Sequence, residues 1–119
     1  MGRNGLWTPL TGLDGLGSPF SLKDHAYPTQ YVLHSVPEGE THQVWMSLSN
    51  THNGADIKAM ARIGNSPDSL AIRIPMESVV TVGPFLLVGG PGSTISVGSV
   101  TSPGNVWASG FAIVQRTRI

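Results

Sequence analysis

The chain has 119 residues, no cysteine, and a formal net charge of zero from seven basic and seven acidic side chains. A length of this order makes one domain, able to bury roughly two-thirds of its unfolded surface around a single core. Neutrality excludes a whole-chain field that would draw it to nucleic acid or an anionic membrane, and the lack of thiols excludes a disulfide framework or a thiolate metal site, as suits assembly in a reducing compartment.

Residues 1–28 hold five glycines, three prolines and isolated apolar residues with no sustained period of 2 or 3.6. Leu10, Leu13 and Leu16 are three apart, but the glycines among them oppose a helix at roughly 1 kcal/mol each. This stretch is expected to be an extended arm lying on something, and residues 29–119 the domain proper. The opening MGRNGLWTPLTGLDG has no apolar run of seven or more, so neither a signal peptide nor a membrane span is expected.

Alternation starts after Thr29, with Tyr31, Leu33 and Ser35 on one face and Val32, His34 and Val36 on the other. Pro37-Glu38-Gly39-Glu40 then turns the chain into residues 41–63, the clearest pattern in the sequence. There Val44, Met46 and Leu48 alternate with Trp45, Ser47 and Ser49, and Ile57, Ala59, Ala61 and Ile63 alternate with Lys58, Met60 and Arg62. A period of 2 marks half-buried strands, and Thr51-His52-Asn53-Gly54-Ala55 supplies turn chemistry between them, so a hairpin is expected. Leu70, Ile72 and Ile74 follow on one face up to Pro75. Residues 79–82 and 85–88 form two apolar runs broken by Gly83-Pro84, as in strands covered on both sides or bent at a corner. After Gly89-Gly90-Pro91-Gly92, Ile95 and Val97 alternate with serines expected to face solvent, and Ser102-Pro103-Gly104-Asn105 precedes the last strand, 106–117. About eight strands at spacings near ten residues predict an all-β antiparallel sandwich, jelly-roll-like, with the arm in front of it.

Chemistry is harder to place. Of the four histidines, His34 and His42 fall on opposite faces if residues 37–40 form a hairpin loop, and no His-x-His occurs, so no metal is expected. The acids Asp14, Asp24, Glu38, Glu40, Asp56, Asp68 and Glu77 lie nearly all at turns, their ordinary place. No G-x-S-x-G elbow is present, and Gly89-Gly90-Pro91-Gly92-Ser93 lacks the lysine and the following helix of a phosphate loop. Neither a catalytic residue nor a cofactor is expected, and the chain is expected not to be an enzyme. Trp45, Trp107 and Phe111, by contrast, occupy the face opposite the aliphatic set. A second apolar face implies cover by the arm, a subunit interface, or carbohydrate stacked on an exposed tryptophan.

From Pro75 the order PMESVVTVGPFLLVGGPGSTISVGSV, then NVWASGFAIVQ, resembles the small jelly-roll cement or decoration proteins of tailed-bacteriophage capsids, as a pattern of strands and turns over about residues 31–115. The resemblance implies a homotrimer without chemistry of its own, bound to the major capsid protein on the outer surface of a virion assembled in the host cytoplasm. It implies an arm gripping the capsid, with Arg3, Trp7, Leu10, Leu13 and Phe20 as its contacts, and Trp45, Trp107 and Phe111 as candidates for the subunit seam. A tail, adaptor or fibre-base protein is the alternative within the class, and a carbohydrate-binding module using Trp45 or Trp107 the alternative outside it.

Overall fold

The computed structural model describes residues 6–13, 19–64 and 69–116. Nine strands follow in order: β1 (Leu6–Pro9), β2 (Phe20–Ser21), β3 (Tyr31–Ser35), β4 (Glu40–Asn50), β5 (Ile57–Ile63), β6 (Leu70–Ile74), β7 (Val79–Val88), β8 (Thr94–Ser99) and β9 (Val106–Arg116). Their antiparallel pairings are nested: β2 with β9, β3 with β8, β4 with β7, β5 with β6. The chain is thus one long ribbon folded back on itself and rolled, and the roll closes where β9 meets β4 and β8 meets β5. Two sheets result, β1-β9-β4-β7 with β2 also on β9, and β3-β8-β5-β6. Two facing sheets wound in this way are a jelly roll.

The alternation in the sequence decides which side of each strand lies between the sheets. Val44, Met46 and Leu48 of β4, Ile57, Ala59 and Ala61 of β5, and Val106, Ala108 and Ala112 of β9 are buried in one core, where Leu33, Ile74, Ile95 and Val97 join them. Each large aliphatic side chain removed from water there contributes about 1.5–3 kcal/mol.

Residues 41–63 do not form a hairpin. β4 belongs to the first sheet and β5 to the second, so residues 51–56 carry the chain across the sandwich. Alternation alone does not separate the two cases, because two strands bury matching faces whether they lie side by side or face to face. The crossing is held by Asn50, which is 1% exposed. Its amide donates to Ala55 O and Ile74 O, both at 3.0 Å, while its oxygen accepts from His52 N at 2.8 Å. A buried amide with these bonds made stabilises one path and penalises others.

The arm expected over residues 1–28 does not leave the body in its described part. β1 and β2 both pair with β9, and Leu10 and Leu22 are 1% and 0% exposed. After β1, residues 10–13 turn towards the other sheet, where Gly12 N donates to Leu33 O at 2.8 Å and the Tyr31 hydroxyl donates to Gly12 O. Residues 22–30 then cover the back of β8: Tyr27 N donates to Ser99 O at 2.7 Å and Ser99 N to His25 O at 3.0 Å. Ser96 is therefore buried rather than solvent-facing, and Ser99, two residues on from Val97 along the strand, is buried as well. The sequence conceals this because irregular backbone meets its partners through its own polar groups and needs no side-chain period.

Nor is β7 covered on both sides. It is one strand at the edge of its sheet, with a register shift against β4 between Val44 and Met46, and Val79, Leu86 and Val88 are 64%, 63% and 65% exposed.

Gly110 links core and crossing. It pairs with Met46 at a φ of 152°, and a Cβ there would lie 2.2 Å from Trp45 O and 3.0 Å from Leu10 Cδ1. The missing side chain lets Leu10 enter the core over β9. Gly110→Ala is expected to cost roughly 3 kcal/mol in urea unfolding through strain and overpacking. Gly39→Ala, at a φ of 90° with open space around it, carries the conformational cost alone, about 1 kcal/mol. Equal losses in the two variants would remove the packing role given to Gly110.

Candidate functional site

The outward positions of the first sheet line up in rows across its strands. One row runs Trp7, Ile113, Gln43, Leu86; the next holds Pro9, Phe111 and Trp45; then come Ser109, Ser47 and Thr81, and last Trp107, Ser49 and Val79. No charged side chain occurs in these four rows. For a folded surface that is unusual, since charge depletion combined with aromatic enrichment is the mark of an interface core.

The aromatic rings form a short stack. Trp7 lies on Phe111 with ring centroids 4.1 Å apart and planes 27° from parallel, and Phe111 lies beside Trp45 at 5.0 Å and 16°. Gly83, at a φ of 133°, completes the line: a Cβ there would stand 2.6 Å from Val44 O and 3.3 Å from Trp45 Cδ1. Near-parallel rings at the spacing of neighbouring strands stand on edge, so Phe111 presents a rim to solvent and has both faces engaged. Trp7 is 68% exposed at one end of the stack. Trp107 takes no part in it and is 38% exposed among hydroxyls, where Ser47 and Thr81 bond each other at 2.9 Å.

The residues expected in the arm therefore divide. Trp7 is open to a partner; Leu10 is in the core; Leu13 and Phe20 are half-buried and pack against it, Phe20 stacked on Tyr31 at 4.1 Å; Arg3 lies outside the described residues. Burial removes Leu10 as a contact for any partner while the domain is folded. Trp45, Trp107 and Phe111 share one face, and the first and last of these touch each other. That the arm region itself supplies Trp7 as cover for Phe111 is visible only in the register of β1 on β9.

A second cluster is hidden inside. His34 and His42, expected on opposite faces, meet between the sheets because β3 and β4 belong to different sheets and do not pair. Thr11 N donates to His34 Nδ1 at 3.1 Å; His34 Nε2 lies 2.7 Å from His42 Nδ1; His42 Nε2 lies 2.8 Å from Glu40 Oε1. The backbone donor at one end and the carboxylate at the other assign every proton. His34 is protonated at Nε2 and donates to His42, which is protonated at Nε2 and donates to Glu40. Both rings are neutral in this chain. Among the described residues no group of three or more His, Cys, Asp or Glu is placed to hold a metal ion. The other two histidines are apart: His25 packs near Phe20 and Tyr31, and His52 Nδ1 accepts from Gly54 N.

No protein-family model matches the chain, and no curated protein sequence matches it. Solved structures are similar in fold. A xylan-binding domain, CBM22-1, of Paenibacillus barcinonensis Xyn10C is 10% identical, covering 100% of this chain and 94% of that one with a TM-score of 0.46. The coat protein of Tobacco streak virus is 9% identical over 100% and 90% of the two chains, TM-score 0.46. The exo-β-1,3-galactanase of Phanerochaete chrysosporium is 16% identical with a TM-score of 0.49; the match covers 94% of this chain and 27% of the enzyme. The chain is an all-β antiparallel sandwich of jelly-roll topology.

Burial, and then the neighbouring His42, hold His34 down from the usual 6.5 to about 4. The unfolded chain consequently takes up this proton first as pH falls. The stability linked to His34 is complete above pH 6.5 and is lost between pH 6.5 and about 4, by roughly 3 kcal/mol. Protonation at Nδ1 also removes the acceptor used by Thr11 N. His34→Asn, which keeps an acceptor near that position and cannot titrate, is expected to flatten the profile of unfolding free energy over this window. An unchanged acid slope in the variant would assign the loss to other groups.

Proposed function

We propose that this chain is a structural assembly protein, a jelly roll that joins copies of itself and a larger shell through the outer face of its first sheet, without chemistry of its own. The reading in this class that best joins sequence and fold is a trimeric cement protein on the outside of a bacteriophage capsid, with the major capsid protein as partner. The observation that carries the assembly reading is the uncharged face that holds Trp7, Trp45, Phe111 and Trp107 on three neighbouring strands, β1, β4 and β9. Covering such a face removes apolar area from water at about 25 cal/mol per Å² and leaves no buried charge unpaired. In the stack Phe111 has both faces engaged and offers only its rim, which suits a protein partner better than a flat sugar ring.

One observation favours a second reading. Trp107 stands apart from the stack, 38% exposed beside Ser49 and Ser109, and an aromatic among hydroxyls suits a carbohydrate ligand.

Light scattering after size exclusion tests the first reading, with a mass of three chains as the expected result. A monomer at all concentrations would overturn it. A glycan array tests the second: binding that Trp107→Ala lowers at least tenfold would establish it, and an array without signal would remove it.

A further inference from the structure

Along the path β1-β9-β4-β7 of the first sheet each strand is antiparallel to the next, so β1, which shares one edge with β2, and β7, at the other edge, run opposite ways. A second copy set beside the first in the same orientation therefore brings its β1 antiparallel to β7, the geometry that continues a sheet. The side chains match as well. The row that begins at Trp7 ends at Leu86, so sideways addition without slippage brings Trp7 of one copy next to Leu86 of the other.

The edges themselves are unequally protected. β6 carries Arg73, paired through Nε to Asp56 at 2.9 Å, and β3 is short and irregular between Val32 and His34. β7 has ten residues and no charged side chain, its one interruption being the bulge at Gly83-Pro84. Pro84 and the bulge interrupt this edge at its middle, but residues 79–82 and 85–88 on either side carry neither charge nor proline, and such uncharged stretches of edge can receive another strand.

We infer, resting on the assembly reading above, that copies of this chain join head to tail, the β7 edge of one receiving the β1 edge and Trp7 of the next. A two-fold contact of β7 with β7 would leave the 68% exposed Trp7 of both copies in water. The head-to-tail contact covers both apolar edges, and repeated about an axis along the strands it closes into a ring. Absence of charge on both edges makes the approach free of like-charge repulsion.

Mixing two variants tests this. Trp7→Arg spoils one edge and Leu86→Arg the other, and both positions are exposed, so circular dichroism should show the native fold; Trp7→Ala and Val88→Arg replace any variant that does not fold. Each variant alone is expected to be a monomer by light scattering. An equal mixture is expected to give a dimer and nothing larger, since one intact edge of each kind remains. Monomers in the mixture, while the unaltered chain associates, would overturn the head-to-tail contact and leave the assembly reading standing. A monomeric unaltered chain would overturn both.

Discussion

Eleven consecutive residue pairs, from Glu40 with Arg116 to Asn50 with Val106, join β4 to β9, and most of what is distinctive in this molecule follows from that register. On its inner side the ladder sets Gly110 against Met46 and so opens the notch that Leu10 fills. On its outer side the same ladder sets Phe111 against Trp45. A slip of one residue would turn both sets around, sending tryptophan inward and alanine outward. Core and outer face are thus specified together.

The same central pair explains how an irregular beginning becomes part of the domain. β9 has β4 on one side and would have a bare edge on the other, and β1 and β2 occupy it in two short pieces. Residues 10–13, after β1, cross beside β3, where Thr11 meets both His34 and Ser35. A neutral histidine pair ending on Glu40 is a rigid way to tie that crossing to β3 and β4 at once, because each proton has a single place. Its cost is acid sensitivity, since a proton on His34 Nδ1 displaces the backbone donor.

Much of the architecture was legible in the sequence. Alternation in residues 41–63 named Val44, Met46, Leu48, Ile57, Ala59 and Ala61 of the core, though Ile63 of the same set is exposed and the buried His42 and Asn50 were not among them, and the spacing of turns pointed to an all-β sandwich of jelly-roll kind. What it did not give was the neighbour of each strand. Pattern reports which side is dry, whereas pairing depends on where a loop carries the chain, and the bonds of Asn50 across residues 51–56 are invisible before folding. The misplacement of His34 and His42 came from the same source: a hairpin at residues 37–40 would separate them, and a crossing between sheets brings them together. Leu10 and Leu22 were hidden for a different reason, as isolated apolar residues among glycines carry no period to read. Trp45, Trp107 and Phe111 stood out because large apolar residues opposite an aliphatic set have no place in a two-layer fold without further cover.

In the proposed assembly the outer face of the first sheet is covered. Hydroxyl-radical labelling of the tryptophans over a dilution series measures that cover directly, with the 47% exposed Met76 and the fully buried Met46 as references within the same chain. Trp7 and Trp107 are expected to be protected at high concentration and to gain reactivity on dilution while both methionines stay constant. Reactivity of Trp7 and Trp107 that is high and equal at every concentration would contradict that cover.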